Sequence, residues 1–405
     1  MKKRAVNGAN IGNLVNYANR IDSTLNEVKK DILEQAKRYK NNSLPSQTGF
    51  VAESVHIGSF NLDSAIKRSS LKAVKEKNGF HGDYKVLKAD KVVAKGEFKH
   101  YNTAKQTENA MRGYNGRDLV GPKEQIEDIK KIAKQKALKN RQTRPQVAKE
   151  HQEVYEKATD SIKKDNVSSK PKTSKELKKI TKKASKGKVD ARDVLPDFKD
   201  SLKNSAISGA IDGAKVGAAI GGGISAISNI KDLADGKKSA KEALIDTSKD
   251  IAVSAIDSAV KNAAGSAAKT ASIHLSKKVG NETAKKVLGS SAPIIVATTA
   301  IETGKDIIKY VNGDIDGKAL AKNTVKNCAT SAGGWAGAEA GATVGAMVGG
   351  PVGAVVGGVI GGIAGALGIG SLFDWLWYNF LKKRVLWCRK TLKSWRLMVV
   401  ESKDI

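Results

Sequence analysis

Between Glu339 and Asp374 the chain carries no charged residue for about 34 positions. That exceeds the ~20 residues a helix needs to cross a hydrocarbon core, and few folds accept such a run. Its glycines are regular. Gly341, Gly345 and Gly349 are four apart, as are Gly353, Gly357, Gly361 and Gly365, so each set lies along one helix face. A face without side chains lets a second helix come close, which is how helices associate in lipid. In a water-exposed helix each glycine costs about 1 kcal/mol against alanine, which argues against a solvated bundle. Gly349-Gly350-Pro351 can turn the chain midway. The expectation is a transmembrane glycine-zipper hairpin over 331–381, with homo-oligomer contacts through the zipper face.

The flanks agree with a membrane. Trp375, Trp377, Tyr378 and Phe380 lead into a tail, 382–405, where Trp387 and Trp395 alternate with Lys382, Lys383, Arg384, Arg389, Lys390, Lys393 and Arg396. Aromatic rings favour the headgroup level, and Lys and Arg mark the cytoplasmic side. Lys318, Lys322 and Lys326 flank the other end. The hairpin then has both ends inside, which makes membrane lipid a partner and predicts the bacterial inner membrane with a cytoplasmic N-terminal domain. The segment resembles the glycine-zipper families of membrane-associated bacterial proteins. That resemblance implies a membrane location and specifies no activity.

The chain as a whole is strongly basic: 71 Lys and Arg oppose 41 Asp and Glu, a net charge of +30. Such an excess favours polyanions, because each neutralised phosphate releases a counterion. Cys328 and Cys388 are too few for a disulfide framework. Cys/His spacing for zinc, a phosphate-binding G-x-x-x-x-G-K-[ST] motif and a secretory h-region are all missing from the sequence.

Periodicity divides the chain. A helical segment, 1–45, carries Ile21, Leu25, Val28 and Ile32 at helix spacing. Residues 46–165 mix a helix from Thr48 to Phe60, a hairpin of 82–87 and 92–99 turning at Lys88–Lys91, a helix from Thr103 to Met111, and a basic helical stretch. Lysine, serine and threonine dominate 166–195, which reads as a solvated linker. An Ala/Gly-rich helical region, 196–330, contains a weak repeat, Asn229–Lys237 against Lys305–Lys318. The predicted fold class is an α+β N-terminal domain followed by an all-α, Ala/Gly-rich C-terminal half that ends in the hairpin.

One constellation can carry chemistry. Asp83 begins the first predicted strand, and Glu97 and Lys99 share a face of the second, because residues two apart on a strand point the same way. Asp83 and Glu97 can hold Mg²⁺ or Mn²⁺ with water and a substrate phosphate, while Lys99 steadies charge on the phosphate. Glu53, on the preceding helix, can reach the same metal. Lys130, Lys131, Lys134, Lys136, Lys139, Arg141 and Arg144 on the basic helix can hold a nucleic-acid backbone. His56, His81 and His100 lie nearby; exposed positions are the commoner fate of such histidines.

The order helix acid, strand Asp, strand E-x-K, helix resembles the PD-(D/E)XK nuclease superfamily, which has the restriction-endonuclease fold, over about residues 48–135. The resemblance implies that Asp83, Glu97 and Glu53 are metal ligands, Lys99 the catalytic lysine and Gln106 an auxiliary position. Gly82 stands where the family often has proline. The leading expectation is a membrane-tethered, metal-dependent nuclease acting on DNA at the inner face of the membrane, with phage defence as a role. A pore-forming or membrane-perturbing effector is the alternative, and a non-enzymatic tether of nucleic acid a third.

Overall fold

The structure, a computed structural model, describes residues 2–76, 82–190, 193–234, 237–275 and 292–401. The chain divides into two compact units. One comprises Tyr17–Ser208 and Ile273–Lys278, the other Met1–Asn16, Gly209–Ser272 and Val279–Ile405.

The Tyr17–Ser208 unit is α+β. Helix α1 (Lys2–Arg38) ends on Lys37 and Arg38, which suit the negative end of a helix dipole. Helix α2 (Leu44–Ile66) starts with Pro45 in its first turn, where a missing N–H costs nothing. Strands β1 (Leu71–Lys75), β2 (Tyr84–Lys88) and β3 (Lys91–Phe98) form an antiparallel meander. The β2–β3 turn puts Ala89 and Asp90 at φ 47° and 62°, as a two-residue hairpin of this twist requires. Helix α3 (Ala104–Ala110), capped by Thr103, crosses to β4 (Asp118–Val120), which lies parallel to β3. Helices α4 (Ile126–Asn140) and α5 (Pro145–Lys157) cross to β5 (Ala158–Thr159), parallel to β4. The five strands run in sequence order across the sheet. Ile57 and Phe60 of α2 pack with Tyr84, Val86, Phe98 and Val120. Leu119 and Ala158 pack with Ile126, Ile129 and Val154 of α4 and α5.

The sequence predicts α2, the β2–β3 hairpin and α3 close to where they fall. It does not predict β1, β4 or β5. The stretch from Ala158 is also not helical: after β5 the short strands β6 (Lys163–Lys164) and β7 (Val167–Ser168) pair with each other.

The expected linker is folded. Helix α6 (Ser174–Ala184) opens with a capping box between Thr173 and Glu176. Its Leu177, Ile180 and Ala184 join a core with Ile21, Val28, Val51 and Val55, and Val194 and Leu195 close it. The segment looks solvated because lysines outnumber its apolar residues, yet those few recur at 3, 4 and 7 and make one buried stripe.

The other unit is helical. It takes the first turns of α1, most of α7 (Phe198–Ala234) and α8 (Ala240–Leu275), then α9 (Ala292–Val311) and α10 (Gly317–Glu401). The 1–45 segment is therefore not one unit, since the division falls within α1 after Asn16. The two copies of the weak repeat occupy equivalent places, at the α7–α8 and α9–α10 joints. Helix α10 is two helices folded back at Gly349 and Gly350. Gly350 has φ 57° and ψ −145°, a conformation open essentially to glycine alone.

The two arms meet glycine to glycine. A methyl added at Gly341 would strike the carbonyl of Gly357, and one at Gly345 that of Gly353; Gly337 faces Gly361 and Gly333 faces Gly365 in the same way. Gly8 and Gly12 of α1 sit equally close to Gly362 and Gly358, and Gly209, Gly213 and Gly217 of α7 against Asn262, Ser258 and Ser254 of α8. The segment Gly353–Leu372, 20 residues with mean hydropathy 1.9, is long and apolar enough to cross a membrane; among the described residues it is the one helix segment that is. The first arm has the length but carries Glu339 and mostly Ala and Gly, which add little hydropathy. The side chains of Trp375 and Trp377, and of the basic tail, lie outside the described residues.

Burial in this unit is partly reversed, although Ile11, Leu14, Val15 and Ile294 are buried. Lys261, Asn262, Lys269, Glu302 and Asp306 are buried, while Val253 and Ile256 of α8, Val296 and Ile308 of α9 and Met347 and Val348 of α10 are exposed, Val348 by 87%. Asn10 donates to Ser258 and accepts from Asn262, and Lys261 donates to Asn7 and Asp257 and pairs with Glu302.

The place of α6 in the core has a measurable consequence. Leu177→Ala should lower the stability of the Tyr17–Ser208 unit by roughly 2–5 kcal/mol, as for other buried leucines. Hydrogen exchange of α2 and α6 amides in increasing urea reads it. A loss under about 0.5 kcal/mol, typical of surface positions, would mark the segment as a linker after all.

Candidate active site

Three elements bring the acidic residues together. Asp83 immediately precedes β2 and ties it to β3. Its backbone N–H donates to Gly96 O at 3.0 Å, and its Oδ2 accepts from the Phe98 N–H at 2.7 Å. Gly82 allows this approach with φ 124°. Proline, fixed near −65°, could not adopt it. Gly96 pairs with Tyr84 across the strands and lies against its ring, leaving no room for a side chain.

Glu97 is buried. Its Oε1 accepts from Lys99 Nζ at 2.5 Å, and its Oε2 is buried with no hydrogen-bond partner. The Asp83 and Glu97 carboxyls are near enough to act on each other. Burial first, and then Glu97, push the Asp83 carboxyl up, while the Phe98 amide pulls it down. Glu53, half-buried on α2, is pushed up to about 8, first by burial and then by Asp83, with Glu97 adding to it; Lys75 and Lys99 act the other way. At neutral pH Glu53 thus keeps its proton.

Lys99 follows the end of β3, held by its N–H to Val120 O at 2.9 Å. Burial alone would lower its ammonium, but hydrogen bonds with Glu97 and Tyr114 outweigh this and hold it above the ordinary lysine value. Its Nζ sits 4.5 Å from the Tyr114 ring centroid. It is a charged lysine, suited to stabilising anionic oxygen rather than to taking a proton.

Asp83, Glu97, Lys99 and Glu53 are therefore neighbours. Among the described residues no group of three or more His, Cys, Asp or Glu side chains is arranged to hold a metal ion. The Asp83–Glu97 pair still fits a divalent cation. Two neighbouring carboxyls, one with an orphaned oxygen, present uncompensated negative charge, and Mg²⁺ needs only one or two carboxylates beside water and phosphate. Glu53, neutral at pH 7, stands behind them and is not a third anionic ligand.

The sequence reading does not assign three neighbours to the site. Lys75, at the end of β1, donates to Asp31 and Ser54 at 3.0 and 2.8 Å and opposes the rise of Glu53. From the sequence, Tyr114 with Gly113 and Gly116 reads as a turn, either near the substrate or simply a turn. Arg117 lies against Gly82, and its Nη1 is buried with no hydrogen-bond partner. Leu71 and Ala73 alternating with Lys72 are a signal for β1, but nothing in the sequence marks Arg117. Gln106 is exposed on α3 and interacts with its cap, Thr103. His81 lies outside the described residues. His56 and His100 are not exposed: their rings stack at 5.8 Å, His56 is lowered by burial, then by His100 and Lys172, and His100 falls to about 4 through burial. Both are neutral packing groups.

Of the basic residues on α4, Lys131, Lys134, Lys139 and Arg141 are exposed, as is Arg144 beyond its end. Lys130 is half-buried. Lys136 is engaged, donating to the buried Glu108 and to Asn109, both at 2.6 Å, while Glu108 also meets His151 at 2.5 Å. Comparison with protein-family models, with curated proteins and with solved structures finds no match to this chain.

The high proton affinity of Glu53 sets a pH dependence. Between about 4.5 and 8 the folded chain keeps a proton that the unfolded chain has lost, so this residue's contribution to stability falls as pH rises through that window. Glu53→Gln should match wild type near pH 4.5 and exceed it increasingly up to pH 8, measured as thermal unfolding of the Tyr17–Ser208 unit. A difference independent of pH would show that Glu53 is not held protonated.

Proposed function

We propose that the Tyr17–Ser208 unit is a metal-dependent nuclease of the PD-(D/E)XK kind that hydrolyses DNA phosphodiesters. The observation that carries the proposal is the desolvated Asp83–Glu97 pair with Lys99 ion-paired on one oxygen and Glu97 Oε2 left without a partner. The order of elements supports it as well: the helix acid on α2, Asp83 before β2, E-x-K at the end of β3, then α3 and a parallel β4.

Asp83 and Glu97 would hold Mg²⁺ or Mn²⁺, and the bound ion supplies Lewis-acid charge and a more acidic water. The protein's own groups do the rest. Lys99 places its ammonium against the non-bridging oxygens, where charge builds as water attacks phosphorus. Tyr114 fixes that ammonium. The proton of the attacking water passes to solvent, because Glu53 already carries one at neutral pH. The departing sugar oxygen is protonated by solvent.

The other unit is proposed as a membrane anchor. The partly reversed burial supports this: valine and isoleucine face outward on α8, α9 and α10 while hydrogen-bonded asparagines and ion pairs lie inside. Soluble domains rarely expose such surface, and ionisable groups within membrane bundles face inward and pair. The proposed setting is the inner face of a bacterial inner membrane, with phage defence as the role. The same polar interior favours a second reading, in which the helical unit admits ions across the bilayer.

The full chain with Mg²⁺ or Mn²⁺ should nick and linearise plasmid DNA. Glu97→Ala and Lys99→Ala should each cut at least roughly 100-fold more slowly, the scale of losing one charge-stabilising group. Metal-independent cutting, or variants as active as wild type, would refute the nuclease. No cutting by any form, combined with dye release from liposomes, would establish the second reading instead.

A further inference from the structure

We propose that a lysine-lined groove along α6 binds the phosphate backbone of nucleic acid and leads it toward the carboxylate cluster; only the leading step rests on the nuclease reading. The groove has a volume of about 740 Å³. It forms because α6 gives one face to the core, through Leu177, Ile180 and Ala184, and keeps lysine on the other.

Lys175, Lys179, Lys182, Lys186 and Lys188 line the groove. Among the described residues none of these five has a carboxylate partner, whereas the neighbouring Lys183 is held by Asp193 at 3.2 Å. The first four follow one another by about a helical turn, so their row extends roughly 16 Å at 1.5 Å per residue. That length spans several phosphates of one strand. Unpaired charges of one sign in a concave surface repel each other and focus their field on a polyanion.

Two details point inward to a ligand. The acid in the groove, Glu124, accepts from the Ser174 N–H at 3.0 and 3.3 Å, so its charge is spent on the start of α6. The Ser174 hydroxyl, also lining the groove, is buried with no hydrogen-bond partner. The groove lies beside the chain leaving β3, because Lys178 Nζ reaches Asn102 Oδ1 at 3.4 Å, three residues beyond Lys99. A phosphate chain lying along α6 therefore passes the E-x-K strand.

A lipid surface would present the same phosphate chemistry, but basic segments that dock on membranes pair their lysines with inserting apolar residues. Neither α6 nor the turn after it exposes a large apolar side chain among the described residues. Nucleic acid is the better fit.

The test uses the full chain and a short DNA duplex in EDTA, where no cutting occurs. A variant with Lys175, Lys179, Lys182 and Lys186 all changed to glutamine keeps helix propensity and the aliphatic stems. Binding should weaken, and the slope of log K against log salt should become shallower by roughly 3, near 0.9 per lost phosphate contact. Changing Lys131, Lys134, Lys139 and Arg141 on α4 to glutamine should alter the slope less. An unchanged slope in the α6 variant overturns the proposal, as does loss of binding to phosphatidylserine vesicles with DNA binding intact. If the α6 variant loses DNA binding while wild type cuts nothing with Mg²⁺ or Mn²⁺, the groove stands and the nuclease reading falls.

Discussion

Uncompensated negative charge between Asp83 and Glu97 is the constraint on which the α+β unit turns. Burying one carboxylate is costly, and burying two side by side more so, unless cations or donors answer them. Each neighbouring element supplies part of the answer. The Phe98 amide bonds Asp83, Lys99 pairs with Glu97, and Lys75 lies close enough to oppose the rise of Glu53. What remains unanswered is one buried oxygen of Glu97 and a Glu53 that keeps its proton. A fold that tolerates this for stability alone is hard to justify, since an apolar pair would pack there without penalty. Perturbed acids gathered at one place mark functional sites more often than structural ones.

The helical unit obeys a different constraint. Glycine, alanine and serine seams bring backbones into contact at Gly341–Gly357, Gly8–Gly362 and Gly213–Ser258. Many of the large side chains on α8, α9 and α10 then turn outward, and several polar ones are enclosed. Close backbone packing and an apolar exterior are thus one feature of this sequence, and both suit lipid, where packing rather than hydrophobicity joins helices. Lys326 clasps Asp374 at 2.7 and 2.8 Å near the open end of the hairpin, so the acid that closes the apolar run is paired.

Much of this is legible in the sequence where a pattern is local. The Gly349–Gly350 turn, the four-residue glycine spacing, the Lys88–Lys91 turn and the Glu97–Lys99 pairing all follow from periods of 3.6 and 2. What is not legible depends on distant partners. Strands β4 and β5 have three and two residues, too short for any period; β4 takes the edge of β3 and β5 that of β4. Helix α6 hides its three-residue apolar stripe, Leu177, Ile180 and Ala184, among lysines. Nothing in Asn7, Asn10 or Asn13 announces that they bond α8 some 250 positions away. The site shows the same division: Asp83, Glu97 and Lys99 lie on one hairpin and can be read, whereas Lys75 lies on β1, marked only by the alternation of Leu71 and Ala73, and Tyr114 and Arg117 come from the connection between α3 and β4.

The most direct measurement is Mn²⁺ binding to the full chain, by calorimetry or by electron paramagnetic resonance of the free ion, at pH 8 without nucleic acid. If Asp83 and Glu97 are poised for a divalent cation, wild type should bind about one ion, and Glu97→Gln should lose most of that affinity while remaining folded. Equal binding by wild type and Glu97→Gln, or none by either, would contradict a metal role for the Asp83–Glu97 pair.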